Sequence, residues 1–323
     1  MTHRAMKAAL AALAALAMAL PALPATAQEA NPYRQLQMLD ARVQSIGWRL
    51  IRANAPFCQA TIPAVGLLLQ DSHSWTDPAA MRAALGLDSD ISIGAVASGS
   101  PADKAGLRAN RPVMALDGVD AAQFPDAEPG DYQRLTTLHD RIDAALVRDG
   151  ALAIAIGTAD GPQELSITGV PACASRFELL TSGDSARADG QRVLVTRRLV
   201  DAIPDDDMLA AAIAHELAHN LLRHPQKRIE EGKSWGKIRH NEREADRLSV
   251  WLLANAGFDT AGAVRFQREW MRHHDYGFLA PTHDAWDERI DAIEQERALI
   301  AALDAAPYDW SGRFPMSRED AKP

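Results

Sequence analysis

The run His215-Glu216-Leu217-Ala218-His219 places two imidazoles four residues apart, with a carboxylate directly after the first. In a helix, residues four apart lie one turn apart on the same face. Two neutral imidazoles so placed can hold one zinc ion, which takes nitrogen ligands and in catalytic sites keeps one position open for water. Glu216 sits beside the first ligand and can reach that water without being a ligand itself. The chemistry is then the activation of water for attack on a polarised carbonyl. The surrounding residues are nearly all apolar. Three ionisable groups on a buried helix need a shared partner, and a cation is the simplest one.

A catalytic zinc ion needs a third protein ligand. The stretch Asn241-Glu242-Arg243-Glu244-Ala245-Asp246 follows at a useful distance. Glu242 can be that ligand. Asp246 lies four residues later on the same helical face and can hold the free N–H of a ligating histidine. Neither Cys58 nor Cys173 has ligand spacing to the histidines, and the pair is expected to form a disulfide. His224 reads as a polar helix-end residue favoured by the helix dipole. His73, His139, His273 and His274 read as surface histidines.

The elements that must position these groups fall into two textures. Residues 31–54 show helical spacing at Leu36, Leu39, Val43, Ile46 and Leu50, and Pro56 ends the stretch. From Cys58 to about Pro171, short apolar runs alternate with Gly and Pro. Val65 to Leu69, Ile91 to Val96, Val113 to Leu116, Ala151 to Ile156 and Leu165 to Ile167 are expected strands. Pro78 to Leu85 and Tyr132 to Val147 are expected helices. From Phe177 onward the chain is mostly helical, with one strand at Arg192 to Thr196 after the turn Asp189-Gly190. Helices are expected at about 207–223, 241–256, 260–274 and 284–303. The helix carrying the histidines is rich in Ala and Leu, and Pro204 with Asp205, Asp206 and Asp207 suits its start.

Two resemblances follow. Gly99-Ser100-Pro101-Ala102-Asp103-Lys104-Ala105-Gly106-Leu107, then Val113-Met114-Ala115-Leu116-Asp117-Gly118, resembles a PDZ domain of the bacterial protease type over residues 60–168. Asn110-Arg111 stands where such domains usually carry Gly-Asp. The resemblance implies a small β-barrel that adds a peptide to a sheet edge, with Val65-Gly66-Leu67 as the candidate carboxylate loop. The second covers residues 174–305. His215 to His219, Arg223-His224, Glu242-Arg243-Glu244-Ala245-Asp246, Thr282-His283 and Arg289 together resemble the HtpX-like and BepA-like zinc metallopeptidases, which include the CAAX prenyl protease. It implies one zinc per chain, with His215, His219 and Glu242, not Glu244, as ligands. It maps a Thr-His-Pro element onto Thr282-His283, with Asp284 replacing the proline. His283 is then a switch at the metal or the first choice as oxyanion donor, and Arg289 the second. Substrate is expected along an edge strand, Arg192 to Thr196.

The expected fold class is α+β. The expected division is a signal peptide at 1–27, a helical linker at 28–57, a PDZ-like domain at 58–172, a zincin metallopeptidase domain at 173–308 and a polar tail at 309–323. The signal is read from His3, Arg4 and Lys7, the apolar run Ala8 to Leu20, and Ala25-Thr26-Ala27 before Gln28. That run is too short to span a bilayer, so the chain is expected to be exported to the periplasm, with secretion as the alternative, and to carry no membrane anchor. The net charge of −9 gives a nucleic-acid role no electrostatic support. The expected activity is endopeptidase cleavage of unfolded or mislocalised envelope proteins. Two other readings stay open: a peptide-binding chaperone or adaptor with a blocked zinc site, and a zinc hydrolase of a non-peptide amide.

Overall fold

The computed structural model describes residues 31–271 and 283–314. The expected signal segment, His273-His274, Thr282 and the last residues of the tail lie outside them. The fold is α+β, built from helices and small sheets.

Helix α1 (Pro32–Asn54) starts where the Asn31 side chain accepts from the Tyr33 and Arg34 amides, with Pro32 in its first turn. Val43, Ile46, Leu50 and Ile51 bury its inner face in the larger of the two main cores. The helix assigned to a linker is thus part of that core.

The next segment runs β1 (Thr61–Ala64), β2 (Leu67–Asp71), α2 (Pro78–Leu85), β3 (Ile91–Val96), α3 (Pro101–Lys104), β4 (Val113–Leu116), β5 (Val119–Asp120), α4 (Gln133–Asp149), β6 (Ala151–Thr158), β7 (Gly161–Thr168) and β8 (Val170–Cys173). Its own core joins Leu69, Ile93, Leu107, Leu116, Leu138, Ile142, Leu152 and Ile154. Strands β5-β4-β6-β7 form one antiparallel sheet, β2 pairs with β3, and β1 pairs with β8. The expected barrel is not what the described residues form. The β2–β3 ribbon meets the approach to β4 at the single bridge Ser92–Pro112, where the Ile93 amide donates to the Arg111 carbonyl and the Ile93 carbonyl accepts from the Asn110 amide. Cys58 and Cys173 are bonded, with Cα atoms 5.6 Å apart, so entry and exit of this segment are tied together.

The groove between β2 and α4 is partly closed by the chain itself. The Leu69 amide on β2 donates to His139 Nε2 at 3.1 Å. Arg176 reaches Asp140 at 2.8 Å and Asp143 on the same helix. A cavity of about 100 Å³ remains, lined by Trp48, Val65, Leu67, Ile142 and Leu146 among others. His139 is therefore not a surface histidine but a half-buried acceptor.

The rest of the chain runs β9 (Arg176–Leu180), β10 (Ala186–Ala188), β11 (Arg192–Thr196), α5 (Arg197–Ala202), α6 (Asp206–Leu221), α7 (His224–Glu230), α8 (Trp235–Asn255), α9 (Ala261–Arg265), a π-helical turn (Phe266–Met271) and α10 (His283–Ala301). Helix α8 begins earlier than its apolar pattern suggests. Ser234 caps it by accepting from the Lys237 amide, and its first turns are exposed and carry no apolar period. The sheet order is β10-β11-β9, with β11 parallel to β9 and antiparallel to β10. The strand expected at an edge, Arg192 to Thr196, is therefore central; its Val193 and Val195 are fully buried, as a strand covered on both sides requires. The start of the expected tail is also anchored: Trp310 and Phe314 are buried, and the Trp310 indole N–H donates to Asn54 Oδ1 at 2.9 Å. Among the described residues, no helix is long and apolar enough to cross a membrane.

Helix α6 is held from outside its own sequence. Arg265 on α9 binds Asp205 at 2.9 Å, and Gly262 lies so close that a Cβ there would collide with the Asp207 carbonyl oxygen. We predict that Gly262→Ala lowers stability by about 1–3 kcal/mol; an unchanged urea midpoint would refute this. Burial, with the Arg176 charge adding, pushes His139 down to about 4. Its neutral form is the folded one, so its contribution is complete above the unfolded value near 6.5 and is lost as pH falls from there through about 4. Between pH 7 and pH 4 the protein should lose up to about 3 kcal/mol more than His139→Gln does. Parallel pH dependences in urea unfolding would contradict that.

Candidate metal centre

Asp205 caps α6 by accepting from the amides of Asp207 and Met208, and Asp206 and Asp207 add negative charge where the helix dipole favours it. From Met208 to Ala218 almost every side chain is buried. Such a helix is apolar all round because protein surrounds it, and His215, Glu216, His219 and Asn220 are the polar exceptions beyond its first turn.

The two rings project from one face as their spacing requires. His215 Nε2 lies 3.1 Å from His219 Nε2. Glu242 on α8 completes a triangle, its Oε2 3.4 Å from His215 Nε2 and its Oε1 3.5 Å from His219 Nε2. These three residues form the one group of potential metal donors among the described residues. Glu244, the other acid of the motif, faces away towards His224 and His240.

The triangle fits zinc. Ligands about 2.05 Å from a tetrahedral zinc ion lie about 3.3 Å apart; the two imidazole nitrogens are 3.1 Å apart, and each faces its own oxygen of the Glu242 carboxylate, at 3.4 and 3.5 Å. The chemistry of the donors agrees: two imidazole nitrogens and a carboxylate converge where a positive charge would satisfy all three.

Asp246 explains how this arrangement is held. It is 1% exposed, and its Oδ1 lies 2.9 Å from His215 Nδ1, close enough for an ion pair although the N–H is not aligned on the oxygen. Arg289 on α10 binds it through Nε at 2.5 Å and through a second nitrogen at 2.8 Å. Gln267, on the π-helical turn, donates to Oδ1 at 2.9 Å. Arg289 also approaches Glu242 at 3.5 Å. Its guanidinium thus bridges the two carboxylates through Nε and one terminal nitrogen. His283 begins α10, but its side chain lies outside the described residues.

The electrostatics follow from these contacts. Burial opposes charge on His215, yet Asp246 and Glu242 outweigh it and raise the imidazole to about 10. Burial lowers His219 to about 3. Glu242 is pulled well below the usual carboxylate range by His215, His219 and Arg289, against its own burial. Burial lifts Glu216 to about 7, with Glu242 adding and with His215, the Ala188 amide and Arg289 opposing. A carboxylate near neutrality is suited to take up and release a proton at working pH.

Sequence reasoning missed Gln267 and the role of Asn220. Asn220 accepts from the Gly190 amide at 2.7 Å and donates to Ser175 at 3.2 Å, tying the β10–β11 turn and the approach to β9 to the histidine helix. Asn220 directly follows His219, which is the one signal that could have marked it. Gln267 gave none, because a π turn has no periodic pattern of its own. His224 was expected as a helix-end residue; it begins α7 and is buried against His219.

Residues 185–235 match Peptidase family M48. The match includes His215, Glu216, His219 and His224 and ends before Glu242. With the His–His–Glu cluster it supports a zinc-dependent metallopeptidase. No curated protein matches the chain.

The triangle predicts one zinc ion per chain. Glu242→Ala should weaken zinc binding by more than about 100-fold, beyond the range typical of losing an outer partner. Chelator competition showing unchanged affinity would remove Glu242 from the ligand set.

Proposed function

We propose that the protein is an exported zinc-dependent endopeptidase that hydrolyses peptide bonds of unfolded or mislocalised envelope proteins. The observation that carries this reading is the convergence of His215, His219 and Glu242 on one point with Glu216 beside it. In this reading residues 58–172 form the PDZ-like domain and residues 173–308 the peptidase domain, to whose core α1 adds a layer. The Cys58–Cys173 bond suits an oxidising compartment, and the periplasm is the one proposed.

His215, His219 and Glu242 would hold the ion. Bound there, zinc would supply Lewis acidity, polarising the scissile carbonyl and acidifying water. Glu216 takes the proton from the attacking water and delivers it to the leaving amine. Asp246 and Arg289 keep His215 and Glu242 in place throughout.

The substrate is proposed to lie along β10 rather than β11. Thr196 donates to Ser185, and Asp189 to Arg192. Hydrogen bonding alternates along an antiparallel pair, so the amides of Ala186 and Ala188 point away from β11. The Ala188 amide reaches Glu216, which puts this edge beside the base. An extended polypeptide can pair there through main-chain hydrogen bonds. A peptide entering the PDZ-like groove would have to replace His139 at the Leu69 amide.

The test is cleavage of an unfolded protein such as casein. Glu216→Gln should retain zinc and lose about 10²–10⁴-fold in rate. Equal activity in the variant would sink the mechanism, and absence of cleavage by the zinc-loaded wild type would favour the adaptor reading.

A further inference from the structure

Helix α6 ends at Leu221, and the chain then doubles back sharply. Arg223 adopts a left-handed conformation with φ of 57°, which an L-residue rarely takes. The turn brings His224, the first residue of α7, against the outer side of His219. Their ring centroids are 4.9 Å apart, and His224 is 4% exposed.

Both nitrogens of His224 are engaged. Its Nδ1 lies 2.9 Å from His219 Nδ1, and its Nε2 lies 3.4 Å from Glu244 Oε2. Glu244 is held in turn by the exposed His240, with Nε2 at 3.1 Å. A side chain that only filled space beside His219 would need neither polar atom. Burying an imidazole without partners is costly, and here each nitrogen has one.

The proton positions follow from the ends of this chain of contacts. His219 turns Nε2 towards His215 and Glu242, so a ligating Nε2 must be free of hydrogen and Nδ1 must carry it. His219 Nδ1 then donates to His224 Nδ1. His224 must therefore carry its own hydrogen on Nε2, where the Glu244 carboxylate accepts it. The opposite tautomer of His224 would set two N–H groups against each other and leave Glu244 facing a lone pair. One arrangement satisfies every atom, and it presents the Nε2 lone pair of His219 to the centre.

We infer that His224 and Glu244 are positioning residues that fix the tautomer and orientation of the metal ligand His219. His215 has a carboxylate, Asp246, directly at its Nδ1; His219 has one at second hand, through an imidazole. Outer partners of this kind raise ligand basicity and lock the ring. Glu244, interleaved between Glu242 and Asp246 on α8, is thereby given a task distinct from either. The inference rests on the zinc reading above.

The experiment is zinc affinity by competition with a chromophoric chelator on the full chain. If the wild type binds no zinc, the zinc reading itself fails, a result distinct from any difference among variants. With zinc bound by the wild type, His224→Leu should weaken affinity about 10–100-fold. His224→Asn keeps an acceptor near the Nδ1 position and should recover most of that loss. Glu244→Ala should weaken binding in the wild-type background and add little on top of His224→Leu. Equal weakening by Leu and Asn would mean that His224 only packs, and full additivity with Glu244→Ala would break the chain of contacts; either overturns the inference. Should His224→Leu fail to fold, Glu244→Ala alone decides it, because unchanged affinity there contradicts the assigned role.

Discussion

The ion pair between Asp246 and Arg289 is the contact on which the rest of the centre depends. Both side chains are almost wholly buried, and they join α8 to α10 through two hydrogen bonds. Removing one partner of such a pair typically costs about 3–5 kcal/mol, because the other charge is left buried and alone. Here the pair is also shared. Asp246 meets His215 and accepts from Gln267, while Arg289 approaches Glu242. A single buried carboxylate thus registers α6, α8, the π turn and α10 against one another, and the three donor atoms converge because those elements do.

That dependence explains the character of α6. A helix buried nearly all round cannot leave ionisable groups unmatched. Each of its polar residues has a partner on another element: His215 at Asp246, His219 at Glu242 and His224, Glu216 at the Ala188 amide, and Asn220 at Gly190 and Ser175. The sheet is brought into position by the last two of these contacts. The same logic operates in the other half of the chain, where His139 accepts the Leu69 amide and Arg176 faces two aspartates of α4. Arg176 opens β9, so the groove between β2 and α4 and the sheet beside the centre meet at one residue.

The elements most visible in the amino-acid order were short apolar-rich runs beside turn residues. Ile91 to Val96, Val113 to Leu116, Arg192 to Thr196 and Pro78 to Leu85 occur at the expected limits, and the first and third of these are buried almost throughout. Helix α8 was too short in expectation because its first turns are exposed and carry no apolar period. Strands β9 and β10 went unseen because they are short and half-exposed.

From sequence alone came the helix with two imidazoles on one face and a carboxylate beside the first, the acidic helix to complete them, the α+β class and the cysteine pair. These are properties of local spacing and residue chemistry, which no distant contact can alter. Only the tertiary structure decided that β11 is central, that Arg289 is bound to Asp246, that Glu244 faces His224, and that His224 folds back onto His219. The physical reason is that each of these depends on which groups meet across elements far apart in the chain, and a buried polar atom takes the partner that packing brings to it.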